Sequence, residues 1–131
     1  MLIKINSLLA IVILLLPLCI TCLNAFAITC DMLPINLDDA RTNLRRATNE
    51  ADFEAAKDYA RRAKRALDDA AMSAMDCRCE MAYMEFDTAA SRARRAGYAS
   101  SVEEFVDSLN RAIRAFNSGI DALRICASER R

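Results

Sequence analysis

The chain has no histidine and no tryptophan, and only two glycines and two prolines among 131 residues. The missing histidines remove the commonest general base and the commonest metal ligand. So few glycines and prolines argue against an all-β sandwich or barrel, whose many turns need them. Net charge is lacking too, because 18 basic residues balance 18 acidic ones. A neutral chain has no electrostatic reason to bind nucleic acid or anionic lipid, so neither is expected as a partner. Also missing are a nucleophile elbow, a phosphate-binding glycine loop, a dinucleotide fingerprint, an HExxH pair and an EF-hand loop. No catalytic residue and no cofactor follow from the sequence, and the chain is read as non-enzymatic. Its length suits one small domain.

The first segment reads as an address. Lys4 supplies a short basic region, Leu8–Leu16 is continuously apolar, and Ala25-Phe26-Ala27 is a small-x-small cleavage site. Residues 1–27 are therefore expected to be a signal peptide, cut after Ala27, which sends the chain to the periplasm or the exterior. The remaining 28–131 would form a single helical domain with no membrane span. It keeps four cysteines, Cys30, Cys77, Cys79 and Cys126. An even number in a small exported chain reads as disulfides.

The intervals Cys30–Cys77 and Cys79–Cys126 have equal length, which prompts a comparison of the chain with itself. Setting 30–78 against 79–127 gives 14 identities in 49 positions without a gap. Arg45-Arg46-Ala47 meets Arg94-Arg95-Ala96, Asp58 meets Asp107, and Arg62-Ala63 meets Arg111-Ala112. The expected unit is a tandem 49-residue α-hairpin.

Each unit reads as two helices, because small or apolar residues recur at alternating steps of three and four. In the first unit they fall at 33, 37, 40, 44 and 47, then at 53, 56, 60, 63, 67, 70 and 74. In the second they fall at 82, 86, 89, 93 and 96, then at 102, 105, 109, 112, 116, 119 and 123. The spacing predicts helices over about 33–48, 50–75, 78–96 and 101–127. Asn36 or Asn49 can cap an N-terminus, Ser100 or Ser101 can open a capping box with Glu103 or Glu104, and Pro34 suits a first turn. Gly97 suits the left-handed position that ends a helix. Short connections then give an all-α, up-down-up-down four-helix bundle. The alternative is a three-helix bundle with one long first helix running through residues 48–52. The second helix offers mainly alanine, the fourth offers Val102, Phe105, Leu109, Phe116 and Leu123, and small against large would let them interlock.

Bent into hairpins, the chain gathers its cysteines at one end, and the expected disulfide staples are Cys30–Cys77 and Cys79–Cys126, with the crossed pairing, Cys30–Cys79 and Cys77–Cys126, as the alternative. Around the turn between hairpins lies the richest cluster of soft atoms: Met72, Met75, Cys77, Cys79, Met81 and Met84. Thiolates and thioethers select Cu(I), so copper binding or thiol redox chemistry is the alternative function, although disulfides would remove the best ligands. The competing role for these methionines is to fill irregular space at the bundle end. The pairs Arg45/Arg46, Arg61/Arg62 and Arg94/Arg95 have the geometry to bind oxyanions, but acids at helical spacing, such as Asp58 with Arg62, make a solvated face the simpler reading. Tyr83 and Tyr98 are candidate interface anchors. The leading functional reading is an exported, non-enzymatic helical module that binds a protein partner or builds the cell envelope. No metal site is assigned, the Met/Cys cluster standing only as the alternative.

Overall fold

A computed structural model describes residues 32–129. The expected signal peptide, its cleavage site and Cys30 lie outside them. Among the described residues the chain is all-helical, with four helices: α1 Leu33–Asn49, α2 Phe53–Asp76, α3 Glu80–Gly97 and α4 Val102–Glu129. The long continuous first helix of the alternative reading does not form, because α1 stops at Asn49 and α2 begins only at Phe53.

Local chemistry sets each boundary. Pro34 occupies the first turn of α1, where its missing N–H costs nothing. Asp52, rather than Asn49, caps α2, accepting a hydrogen bond of 2.7 Å from the Ala55 N–H. Asn36 caps nothing: it sits inside α1 and donates to the Ser73 hydroxyl at 3.0 Å. Ser101 accepts from the Glu104 N–H at 3.2 Å, while the Glu104 carboxylate accepts from both the Ser100 N–H and its hydroxyl at 3.1 Å. The capping box thus closes on the residue before the cap.

The turn after α2 is a Schellman motif built without glycine. The Cys79 N–H donates to the Ala74 carbonyl and the Arg78 N–H to the Met75 carbonyl. Arg78 takes the left-handed conformation, at φ 58°, that this motif requires. Gly97, by contrast, has no positive φ and remains helical. Its role is close approach: a Cβ there would lie 2.6 Å from Cγ of Arg61.

Each helix packs chiefly on its chain neighbours, α1 on α2, α2 on α3 and α3 on α4. Three contacts between helices fix the register. Asn36 near the start of α1 meets Ser73 near the end of α2. Arg61 in α2 donates to the carbonyl of Gly97, the last residue of α3, at 2.8 Å. Cys79, just before α3, is bonded to Cys126 near the end of α4, with their Cα atoms 5.9 Å apart.

The core sits where the three-four spacing puts it. Ala56, Ala60, Ala63, Leu67, Ala70 and Ala74 are buried along α2, and Ala82, Phe86, Ala89, Ala93 and Ala96 along α3. The small face of α2 therefore meets the small face of α3, not the large residues of α4 as expected. Cβ-only surfaces let two backbones approach closely and gain dispersion contacts along their length. Phe53 and Phe105 are the main aromatic bridge between α2 and α4, edge to face at 5.8 Å. Val102, expected in the α4 seam, is 61% exposed, because it opens the helix one turn before packing begins at Phe105. Between α1 and α4 larger residues hold the helices apart, leaving a groove lined by Leu44, Ile113 and Phe116 with Arg41 and Arg45 at its rim. No helix among the described residues is long and apolar enough to cross a membrane.

Candidate functional site

The molecule has two chemically opposed ends. Cut at the helix midpoints, residues 41–65 and 89–115 carry 13 Lys and Arg against 7 Asp and Glu. Residues 33–40, 66–88 and 116–129 carry 2 against 10. The register contacts above place the first set at the end of the α1–α2 and α3–α4 turns, and the second at the cysteine end. The absence of net charge therefore conceals two strong fields of opposite sign. A segregated charge of this kind steers partners by sign even on a neutral protein.

At the cysteine end, Cys77 and Cys79 are buried, and both are disulfide-bonded. Cys79 pairs with Cys126, and the Cys30 half of the other expected pair lies outside the described residues. Arg78, between them in the turn, is exposed. The four methionines of the cluster do not fill space inside the bundle end. Met72 is 62% exposed, Met84 60%, Met81 57% and Met75 43%. Met72 and Met75 are one turn apart on the outer side of α2, and Met81 and Met84 one turn apart on the outer side of α3. Met32 and Met72 line a shallow hollow with Asn36, Ser73, Asp69 and Asp76. The cysteine end thus exposes two pairs of methionines on neighbouring helices, in the acid-rich half of the molecule. Tyr83 is half-buried against the core, so it is a packing residue. No group of three or more His, Cys, Asp or Glu side chains among the described residues could hold a metal ion.

At the other end the arginine pairs separate into distinct roles. Arg62 reaches Asp58 at 2.8 Å and Arg111 reaches Asp107 at 3.0 Å, the i,i+4 pairs expected from the sequence. Such exposed pairs contribute little stability, about 0.3–0.5 kcal/mol each. Arg46 and Arg62 flank the ring of Tyr59, with guanidinium carbons 5.8 and 5.6 Å from its centroid. Arg61 lies over the ring of Tyr98 at 5.8 Å. Tyr98 is 72% exposed, which keeps it available as a contact residue. Between α2 and α3, Arg61, Lys64, Arg65, Arg94 and Tyr98 surround a single cleft. On the far side of α3, Glu104 faces Arg95 at 3.7 Å. The Ser100 backbone N–H and hydroxyl hold the Glu104 carboxyl below the usual glutamate range, with Arg95 assisting.

Two features escaped sequence reasoning. The charge polarity was present in the order of residues, but it emerges only when charges are counted by helix half. The cation cleft joins Arg61 to Arg94 across two helices and needs their register. Compared with protein families, with curated proteins and with solved structures, the chain matches none.

Proposed function

We propose that the chain is an exported helical module, periplasmic or secreted, that binds a protein partner or builds the cell envelope and catalyses no reaction. The observation that carries this reading is the exposure of Met72, Met75, Met81 and Met84 beside the disulfide-bonded turn. Methionine on a surface is flexible and polarisable, and it adapts to an apolar partner face. Here it stands on helices held by covalent links, so docking would order few backbone torsions. The partner face would be apolar with a basic rim, to meet the acid-rich half of the molecule.

The finer architecture belongs to the same proposal: an up-down-up-down bundle made from two tandem α-hairpins. Supporting it, α2 and α4 begin at Phe53 and Val102, which are equivalent positions of the two 49-residue units. Their caps, Asp52 and Ser101, are equivalent as well. So are the ion pairs Asp58–Arg62 and Asp107–Arg111.

The test places a photo-crosslinking residue at Met72 or Met84 in the exporting cell, with Asn110 as the control site. A discrete crosslinked protein seen at the methionine sites, absent at Asn110 and lost with Met75→Glu and Met81→Glu, is the expected result. Identical background at all three sites would overturn it. The same exposure favours one second reading, Cu(I) binding by the thioethers, since these methionines are not committed to the core. Titration with Cu(I) decides it: tight binding abolished by leucine at all four positions supports copper, and unchanged weak binding dismisses it.

A further inference from the structure

We propose that the cleft between α2 and α3 is an oxyanion site that takes a phosphate or sulfate group. This goes beyond the docking reading, since it concerns the opposite end of the molecule and a different ligand chemistry.

The cleft, half open to solvent, has a volume of about 200 Å³ and is lined by Arg61, Lys64, Arg65, Arg94 and Tyr98, with no carboxylate among its lining residues. Two of its four cations are already engaged. Lys64 pairs with Asp68, and Arg61 pairs with Asp58 and donates to the Gly97 carbonyl. Asp58 is itself shared with Arg62, so one carboxylate serves two guanidinium groups. Arg65 and Arg94 face the same cleft from opposite helices, and neither forms an ion pair with any described residue. Like charges on the two walls of one cleft repel, and an anion between them reverses the sign of that interaction.

The geometry also suits the chemistry. A guanidinium presents planar paired donors that match two oxygens of a tetrahedral oxyanion. Lys64 adds a point charge beside them. Gly97 lets the Arg61 side chain lie along α3, which fixes both its guanidinium and the Tyr98 ring beneath it. The surrounding half of the bundle, rich in Lys and Arg, draws an anion toward the cleft.

The experiment follows backbone amide resonances of the exported, disulfide-bonded chain during titration with inorganic phosphate and with sulfate at low ionic strength. In parallel, sedimentation is measured with phosphatidylglycerol vesicles and with phosphatidylcholine vesicles. Saturable shifts centred on Arg65, Arg94, Gly97 and Tyr98 are expected. The double variant Arg65→Ala, Arg94→Ala should weaken binding at least about tenfold. The variant Arg65→Lys, Arg94→Lys should fall between, because it keeps charge and loses the fork. Arg111→Ala, outside the cleft, should bind as the parent does, and unchanged thermal unfolding should show that every variant is folded. Response to the soluble ions supports a free ligand. Binding to phosphatidylglycerol alone, lost in the double alanine variant, supports a lipid headgroup as the source of the oxyanion. No saturable response to either, or a response unaltered in the double alanine variant, would overturn the proposal.

Discussion

Phe86 rests its ring on Gly119, so closely that a Cβ at Gly119 would lie 2.4 Å from the ring. Phe86 is fully buried and cannot swing away. This contact seats α3 on α4, and the absence of a side chain at one position makes room for a large one at the other. Gly119→Ala should gain up to about 1 kcal/mol of helix propensity and lose about 1–3 kcal/mol to overpacking. The net effect expected is destabilisation. Denaturant unfolding of Gly119→Ala, Phe86→Leu and the double variant checks it, and the double variant should be less unstable than the sum of the two single changes. Simple additivity would show that the two residues do not depend on each other.

Arg78 occupies a left-handed turn position at φ 58°. For a residue with a Cβ this conformation costs about 1–2 kcal/mol, and glycine avoids it. Arg78→Gly is expected to raise stability by up to about 1 kcal/mol, less whatever contact the arginine side chain itself makes. Arg78→Val, β-branched in the same conformation, should lower it. Equal midpoints for the glycine and valine variants in thermal unfolding would show that the turn is not strained.

Much of the helical layout was readable because burial follows a simple period. The steps of three and four along residues 56–74 and 82–96 coincide with buried positions in α2 and α3, since one face of a helix must be dry. What was not readable depends on contacts between distant residues. Gly97 carries the same local signal as a helix-ending glycine, and only the approach of Arg61 from α2 reveals its packing role. Asn49 and Asp52 are both competent caps; Asp52 is the one used, one residue before Phe53, which meets Phe105 across the bundle. The alanines of α2 looked like partners for the large residues of α4, because composition says nothing about which helices touch. The cation cleft was hidden for the same reason, with Arg65 and Arg94 in separate segments that local spacing cannot join.

The Cys79–Cys126 bond closes a loop with a sequence separation of 47 residues. A crosslink of that span restricts the unfolded chain enough to contribute about 4 kcal/mol by loop entropy alone. Replacing both residues with serine should lower stability by about 2–4 kcal/mol, the lower figure allowing for residual structure in the unfolded chain. Urea denaturation of the oxidised parent and the double serine variant measures the difference. A loss below about 0.5 kcal/mol would mean that the α3–α4 pair is held by its apolar seam and that the disulfide adds nothing.

Glu104 supplies the pH dependence of the α3–α4 turn. Its carboxyl is held below the usual range first by the Ser100 N–H, then by the Ser100 hydroxyl, then by Arg95. A carboxylate with a depressed folded pKa binds its proton more weakly in the folded chain than in the unfolded one. The stabilisation is therefore complete above the unfolded glutamate value of about 4.3 and is lost as pH falls through the lower folded value. Glu104→Gln should leave a shallower acid limb in a plot of unfolding midpoint against pH, and it should differ most from the parent above that value. Ser100→Ala should move the Glu104 carboxyl back only part of the way, because the backbone N–H, the larger of the two contacts, survives the change. NMR titration of the Glu104 side-chain carboxyl in the parent and in Ser100→Ala tests this directly. A carboxyl that titrates at the ordinary value in both proteins would show that the turn is not held by Glu104.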